Sequence, residues 1–240
     1  MTTIKLLWEK VHRRWVRMRF QPIRVFCFHQ VSDEFEPDMM WECDWTNTDV
    51  FKRNINAIKQ KYAFISLTEA KEHLKNDLFR VKRYAVLTAD DGWESLQNIL
   101  PWLAEQSIPV TLFLNPYYMD GIHYQLRPTE RFLTFDELFT IEEKYYPMVT
   151  CASHGWNHGD CLEMGWEEFI NGVRKSEKAL QGSLGKIPFF AFTFGHFNDE
   201  QMRFLKEELL TPVLMDGEKN YTGVSCIHRE LLDGKETWDE

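Results

Sequence analysis

The 240-residue chain lacks any apolar run approaching the ~18 residues that a membrane-spanning helix needs. It also lacks paired cysteine motifs. Cys27, Cys43, Cys151, Cys161 and Cys226 are odd in number, form no C-x-x-C pair and sit partly in apolar runs. A disulfide framework does not fit such a set, and a reducing compartment is expected. Excess positive charge is missing too: the net charge of −9 argues against a nucleic-acid partner. Glycine and proline are scattered, so nothing marks a collagenous, disordered or low-complexity segment. The first residues do not read as a secretory leader, because charges interrupt their apolar positions throughout. No internal repeat and no interdomain linker is visible.

What is present describes one large α/β domain with a sizeable core, since 44% of residues are hydrophobic and 27% charged. Nine tryptophans are many for this length. Aromatic side chains line sugar sites, but most simply fill cores.

Charge is unevenly distributed. Residues 1–24 carry Lys5, Lys10, Arg13, Arg14, Arg17, Arg19 and Arg24 against Glu9 alone. Ile4, Leu7, Trp8, Val11, Trp15 and Met18 recur at helical spacing among them. The pattern predicts a basic amphipathic helix over residues 1–20, ahead of a single domain over 21–240. Such a helix packs on a domain edge, rests on an anionic lipid surface or meets a partner protein.

Strand-like and helix-like segments then alternate. Strands are expected at Ile23–His29, Ile65–Leu67, Tyr84–Ala89, Val110–Leu114, Met148–Ala152, Phe189–Phe192, Val213–Met215 and Gly223–Ile227. Helices are expected between them: Thr48 to about Lys61, Thr68 to Leu74, Ser95 to Gln106, Phe135–Lys144, Gly165–Leu180 and a segment capped by Asn198. Thr134 and Glu137 form a capping-box pattern. Residues 32–46 and 115–130 read as loops. Regular alternation implies a parallel sheet closed, or nearly closed, into a barrel.

One feature of this scaffold carries chemistry. Leu87-Thr-Ala-Asp-Asp-Gly92 is an apolar strand ending in adjacent carboxylates, and His154-Gly-Trp-Asn-His158 follows a later strand. One Asp with two His is a three-ligand set for a divalent metal with a position left open. Such a metal lowers the pKa of water and polarises a carbonyl. The second Asp is then placed to take a proton. Asp-Asp-Gly alone is a common turn, and H-x-x-x-H alone is seldom a metal site. Their joint placement after strands of a βα chain, with His29 after another, puts them on the rim where such barrels build sites.

These residues carry a family resemblance. Leu87–Trp93 resembles the T-F-D-D-G-Y motif of polysaccharide deacetylases, the NodB-homology proteins of carbohydrate esterase family 4, and His154–His158 resembles their H-S/T-x-x-H motif. Phe190-Ala-Phe-Thr-Phe-Gly-His196 sits where many members have F-A-Y-P-Y-G, and Val25-Phe-Cys-Phe-His29-Gln-Val31 is similar to the Y-H-x-V first strand of one branch. The resemblance implies a distorted, partly open (β/α)7-type barrel. It implies a metal held by Asp91, His154 and His158, zinc first, with cobalt, nickel, manganese or iron as alternatives. It makes Asp90 the general base and the Phe194 backbone N–H an oxyanion donor. The general acid is His29, with His228 as the second candidate. Trp93, Trp156 and His196 become candidate substrate contacts. The sequence departs from the family pattern at Ala89, Gly155, Thr193 and Phe194. It also lacks the usual arginine that tunes the base, for which Arg229 is a candidate substitute.

The implied activity is hydrolysis of N- or O-acetyl groups on a carbohydrate inside a bacterial cell, with the N-terminal helix touching the inner membrane surface. The rival readings are a C–N amidohydrolase acting on a small non-sugar amide and a catalytically silent sugar-binding relative. Exposed Trp93 and Trp156 along an open groove would favour sugar.

Overall fold

The computed structural model describes residues 21–33, 45–76, 82–120, 125–127, 130–233 and 237–238. The expected basic helix at residues 1–20 and Cys43 lie outside the described residues. Seven strands form a ring: β1 (Ile23–Phe28), β2 (Tyr84–Ala89), β3 (Val110–Leu114), β4 (Val149–Ser153), β5 (Lys186–Ala191), β6 (Thr211–Met215) and β7 (Ile227–Leu231). Every neighbouring pair is parallel, and β1 closes the ring by pairing with both β2 and β7. The barrel is distorted at two seams. β1 meets β7 only at Phe26↔Glu230 and Cys27↔Leu231, and the β4–β5 ladder shifts register. Ala63–Phe64 adds two residues beside the start of β2.

Among the described residues, six α-helices accompany the strands: α1 (Thr48–Lys61), α2 (Leu67–Asn76), α3 (Leu96–Glu105), α4 (Phe135–Tyr145), α5 (Trp166–Leu180) and α6 (Asp199–Glu207). The period-2 alternation of each strand separates two cores. Phe26, Phe28, Leu87, Leu112 and Cys151 face outward to α1, α3 and α4. Val25, Val86, Phe113, Ala152, Ala191 and Val213 fill the barrel, and Leu67, Ala70 and Leu74 of α2 join this interior cluster. Helix α2 therefore plugs the mouth at the strands' N-terminal ends, and the opposite mouth is left for a site.

Several boundaries differ from the sequence expectation. Asn47, not Thr48, caps α1, its side chain accepting from the backbone N–H of Asp49 and Val50. The Thr134 capping box forms as expected. The 115–130 segment includes a 3₁₀ turn at Pro116–Tyr118 and a short antiparallel pair, Gln125–Arg127 with Glu130–Arg131. The expected strand Ile65–Leu67 is instead Ala63–Phe64, and α2 begins at Leu67. The expected last strand, Gly223–Ile227, lies four residues later at Ile227–Leu231. Its sequence, Ile-His-Arg-Glu-Leu, reads as surface because it is charged, yet Arg229 points into the barrel and is only 1% exposed. A buried guanidinium is tolerated there because a buried carboxylate faces it.

Candidate active site

At the strands' C-terminal mouth, the ends of the strands and the turns after them surround a cavity of about 210 Å³. Asp90 and Asp91 enter it from the turn after β2, His154 from the end of β4 and His29 from the end of β1. The turns carrying these groups hold unusual backbone. Asp91, His158 and Phe194 have positive φ values of 70°, 55° and 55°, and Gly92, Gly155 and Gly195 lie in the same region. Strain of this kind is kept where surrounding structure enforces it, commonly at functional sites.

The two adjacent aspartates have different partners. Both oxygens of Asp90 are held by the Arg229 fork, at 2.6 Å (Nη1 to Oδ1) and 2.7 Å (Nη2 to Oδ2). Arg229 Nη1 also reaches Thr88 Oγ1 at 3.2 Å and Cys27 Sγ at 3.3 Å, and the guanidinium lies 5.1 Å from the Phe113 ring centroid. Burial alone would raise the Asp90 pKa, but the charge and hydrogen bonds of Arg229 outweigh it and hold the carboxyl below its ordinary value. The substitute arginine that the sequence could only suggest is therefore in contact with the carboxylate it would tune.

Asp91 is tied down through one oxygen only. Its Oδ2 accepts the Trp93 indole N–H at 3.1 Å. Its Oδ1 lies 3.1 Å from His158 Nε2 and 3.5 Å from His154 Nε2, in ion-pair range but without the alignment of a hydrogen bond. His154 donates its Nδ1 proton to the Ala191 carbonyl at 2.9 Å, because that oxygen can only accept. The bond leaves the lone pair on Nε2. Burial, the largest influence, pulls the His154 pKa down to about 4, so the ring is neutral at neutral pH. Ligands at ordinary zinc distances in a tetrahedron stand about 3.3 Å apart, close to these separations. The three donor atoms, one of them a buried oxygen left without a hydrogen bond, fit a divalent metal.

His29 belongs to a second relay. Its Nδ1 lies 2.7 Å from Asp233 Oδ2, while Asp233 Oδ1 accepts from Thr46 Oγ1 at 2.9 Å. Burial lowers the His29 pKa, but the Asp233 bond and the charges of Asp91, Asp233 and Asp90 more than offset this and carry it up to about 10. Cys27, His29 and Asp90 also converge, but the Arg229 cation already occupies the Asp90 oxygens and touches the Cys27 sulfur, so this group does not offer a second metal site.

The motif departures have local compensations. Gly155 has φ 80°, and its N–H is bound by Ser153 Oγ at 3.2 Å, a hydroxyl supplied from two residues earlier. Thr193 donates to the Gly159 carbonyl at 2.5 Å, tying the third motif to the histidine loop.

Not every candidate reaches the cavity. His228 is a correction. It sits one register position before Arg229, on the opposite face of β7, with Nδ1 2.7 Å from Asp216 Oδ2. His196 is likewise turned out, half-exposed and 2.7 Å from Asp160 Oδ2. Trp156 lines a neighbouring cavity behind the histidine loop, with the Lys175 ammonium 3.9 Å from its ring centroid. Trp93 does line the cavity beside Asp90 and Asp91 but is only 2% exposed, stacked on Phe132 at 4.3 Å and anchored to Asp91. It is not a groove aromatic; that position belongs to Phe194, half-exposed and 4.8 Å from the His158 ring centroid. The sequence reading missed Asp233 and Thr46. Asp233 precedes Gly234 and reads as a turn, and only its contact with His29 marks it.

Known proteins with similar features point one way. The polysaccharide deacetylase family model matches residues 80–211, more than half of the chain. A Streptococcus pyogenes deacetylase, PplD, solved in complex with acetate, has a TM-score of 0.75 at 17% identity, over 90% of this chain and 94% of its own. IcaB from Ammonifex degensii superposes with a TM-score of 0.74 at 15% identity, covering 89% and 93% of the two chains. A de-N-acetylase from Aggregatibacter actinomycetemcomitans gives 0.72 at 19% identity, covering 89% and 95%. At these identities the likeness establishes the barrel fold. No curated protein sequence matches the chain.

Proposed function

The chain belongs to the polysaccharide deacetylase family of hydrolases, and from that premise we propose that it removes an N- or O-acetyl group from a carbohydrate with the help of a divalent metal. The observation that carries this reading is the division between the two aspartates. Asp90 is saturated by Arg229, whereas Asp91 Oδ1 is left between two imidazole nitrogens.

In this reading Asp91, His154 and His158 hold the metal, zinc by the chemistry of a one-carboxylate, two-imidazole set. When bound, the metal would supply a Lewis acid that acidifies water and polarises the acetyl carbonyl. Asp90, kept ionised by Arg229, takes a proton from the attacking water. The water oxygen adds to the acetyl carbon, and the Phe194 backbone N–H is the candidate donor to the resulting oxyanion. His29 then protonates the leaving nitrogen or oxygen as its bond to the acetyl carbon breaks, releasing acetate. Because Nδ1 is committed to Asp233, that proton comes from Nε2. A histidine with its pKa near 10 is protonated at neutral pH, as an acid at this step requires. Trp156, His196 and His228 take no part in this scheme.

The substrate and activity are tested together. Metal content and acetate release from a panel of acetylated sugars should be compared for wild type and Asp90→Asn. Wild type should release acetate and Asp90→Asn should retain metal but lose about 10²–10⁴ in rate. A metal-loaded wild type that releases none from any sugar would overturn the reading.

The domain division, the location and the membrane contact rest on sequence. Cys27, Cys151, Cys161 and Cys226 are all free thiols, which supports a cytoplasmic location. The basic residues 1–20 support peripheral contact with anionic lipid. Deleting them should abolish binding to anionic vesicles, and undiminished binding by the truncated protein would dismiss the contact.

A further inference from the structure

The cavity contains an acceptor that neither the ligand group nor the acid–base residues use. Asn115 follows directly on the last residue of β3, is fully buried and lines the cavity. Its Nδ2 donates to the backbone carbonyl of His154. A carbonyl oxygen only accepts, so this bond settles the orientation of the amide: nitrogen toward His154, oxygen away from it. Oδ1 is buried and has no hydrogen-bond partner among the described residues. Leaving such an acceptor bare costs more than a typical hydrogen bond returns, so it calls for a donor beyond the described residues. Two other cavity-lining residues also carry an unpartnered buried atom. Asp91 Oδ1 faces the two imidazoles, and Arg229 Nε belongs to a cation whose other nitrogens hold Asp90. Asn115 Oδ1 is thus a neutral acceptor on a side chain that lines the same cavity as Asp91, His154 and His158.

We propose that Asn115 Oδ1 accepts the N–H of an acetamido group and biases this site toward N-acetyl over O-acetyl substrates. The inference rests on the deacetylase reading above and makes it narrower. An acetamido group carries a hydrogen on the scissile bond's nitrogen. An ester presents an oxygen there, whose lone pairs would face the lone pairs of Oδ1, so the contact attracts one substrate and repels the other. The same contact has a use in the reaction. With its N–H turned to Asn115, the nitrogen that becomes pyramidal in the tetrahedral state turns its lone pair elsewhere in the cavity, where His29 can protonate it. Asn115 is then a specificity-determining residue that touches the substrate.

The test is the ratio of kcat/KM on a matched pair, one sugar acetylated through nitrogen and the same sugar acetylated through oxygen at the same carbon. Wild type, Asn115→Leu and Asn115→Asp are compared. Losing the bond to His154 affects both substrates alike and cancels in the ratio, as does any change in metal loading. Asn115→Leu should lower the amide-to-ester ratio about tenfold. Asn115→Asp, which keeps an acceptor oxygen, should leave the ratio near that of wild type even if both rates fall. If Asn115→Leu does not fold by circular dichroism, Asn115→Ala takes its place with the same expectation. An unchanged ratio in the folded apolar variant would overturn the proposal and leave Oδ1 to a bound water. A metal-loaded wild type that hydrolyses neither substrate would instead remove the deacetylase reading, and this inference with it.

Discussion

Asp90 and Asp91 are neighbours in the chain, but their surroundings give them separate partners. A left-handed backbone at Asp91 turns the two side chains apart, one down toward Arg229 and the other toward the histidine loop. Arg229 and Asp90 form a buried, bidentate pair, so removing either partner alone leaves an uncompensated charge in the barrel. Arg229→Met should cost about 3–5 kcal/mol in a denaturant titration, and Asp90→Asn added to it should restore a good part of that loss. Simple additivity of the two substitutions would show that the pair is not coupled. The His29–Asp233 pair makes a prediction in pH. The His29 pKa rises on folding from 6.5 to about 10, so its stabilisation is complete below pH 6.5 and is lost as pH climbs toward 10. Asp233→Asn removes the hydrogen-bonded charge behind the rise. Its melting temperature should therefore fall less than that of wild type between about pH 6.5 and 10. Parallel melting curves across that range would assign the His29 shift to another cause.

At the scale of elements, the site depends on turns more than on helices. Gly92 has φ 80°, and a Cβ placed there would stand 2.7 Å from Leu114 Cδ2 on the neighbouring strand. Gly92→Ala should therefore cost about 1–3 kcal/mol and weaken metal binding, since the same turn aims Asp91. Thr134→Ala is the contrast: it opens the capping box of α4, away from the cavity, and should cost about 1 kcal/mol with metal affinity unchanged. Calorimetry for stability and chelator competition for metal separate the two effects. A Gly92→Ala protein with unaltered metal affinity would mean that the turn does not aim the ligand. Helices were the more legible elements in the sequence. Thr134 with Glu137 marked a helix start by chemistry that acts within four residues. The last strand was misplaced because Arg229 looks like surface until the facing carboxylate is known, and the two are 139 residues apart.

At the scale of the whole molecule, ring closure brings the pieces together. His29 directly follows β1 and Arg229 lies in β7, and the pairing of these strands beside β2 sets both around Asp90. Helix α2 packs into the other mouth, so the ionisable groups of the site collect at the strands' C-terminal end. If that end holds a metal, its binding energy appears as folding stability. Zinc at 100 times its Kd should add about 2.7 kcal/mol and raise the melting temperature with the logarithm of its concentration. Chelation should reverse the shift, and it should shrink at low pH because the imidazoles must be deprotonated to bind. His154→Ala should abolish the shift; an equal shift in that variant would place the metal elsewhere.

Local patterns decided a good deal by themselves. The alternation of strands and helices implied the barrel, because hydrophobic period is a property of consecutive residues. Asp90, Asp91, His154 and His158 were legible because Asp90-Asp91 and His154 follow strands directly, His158 lies four residues after His154, and the fold puts all strand ends on one rim. Tertiary structure alone decided which partner each of them has. It set His29 in the cavity and, through strand pleat, His228 outside it, gave Arg229 to Asp90, gave Asp233 to His29, and left Asn115 with one oxygen unanswered among the described residues. The physical reason is range: caps and periodicity act over a few residues, whereas the pairs of this site are matched across the barrel by residues such as His29 and Asp233, which sequence places 204 positions apart.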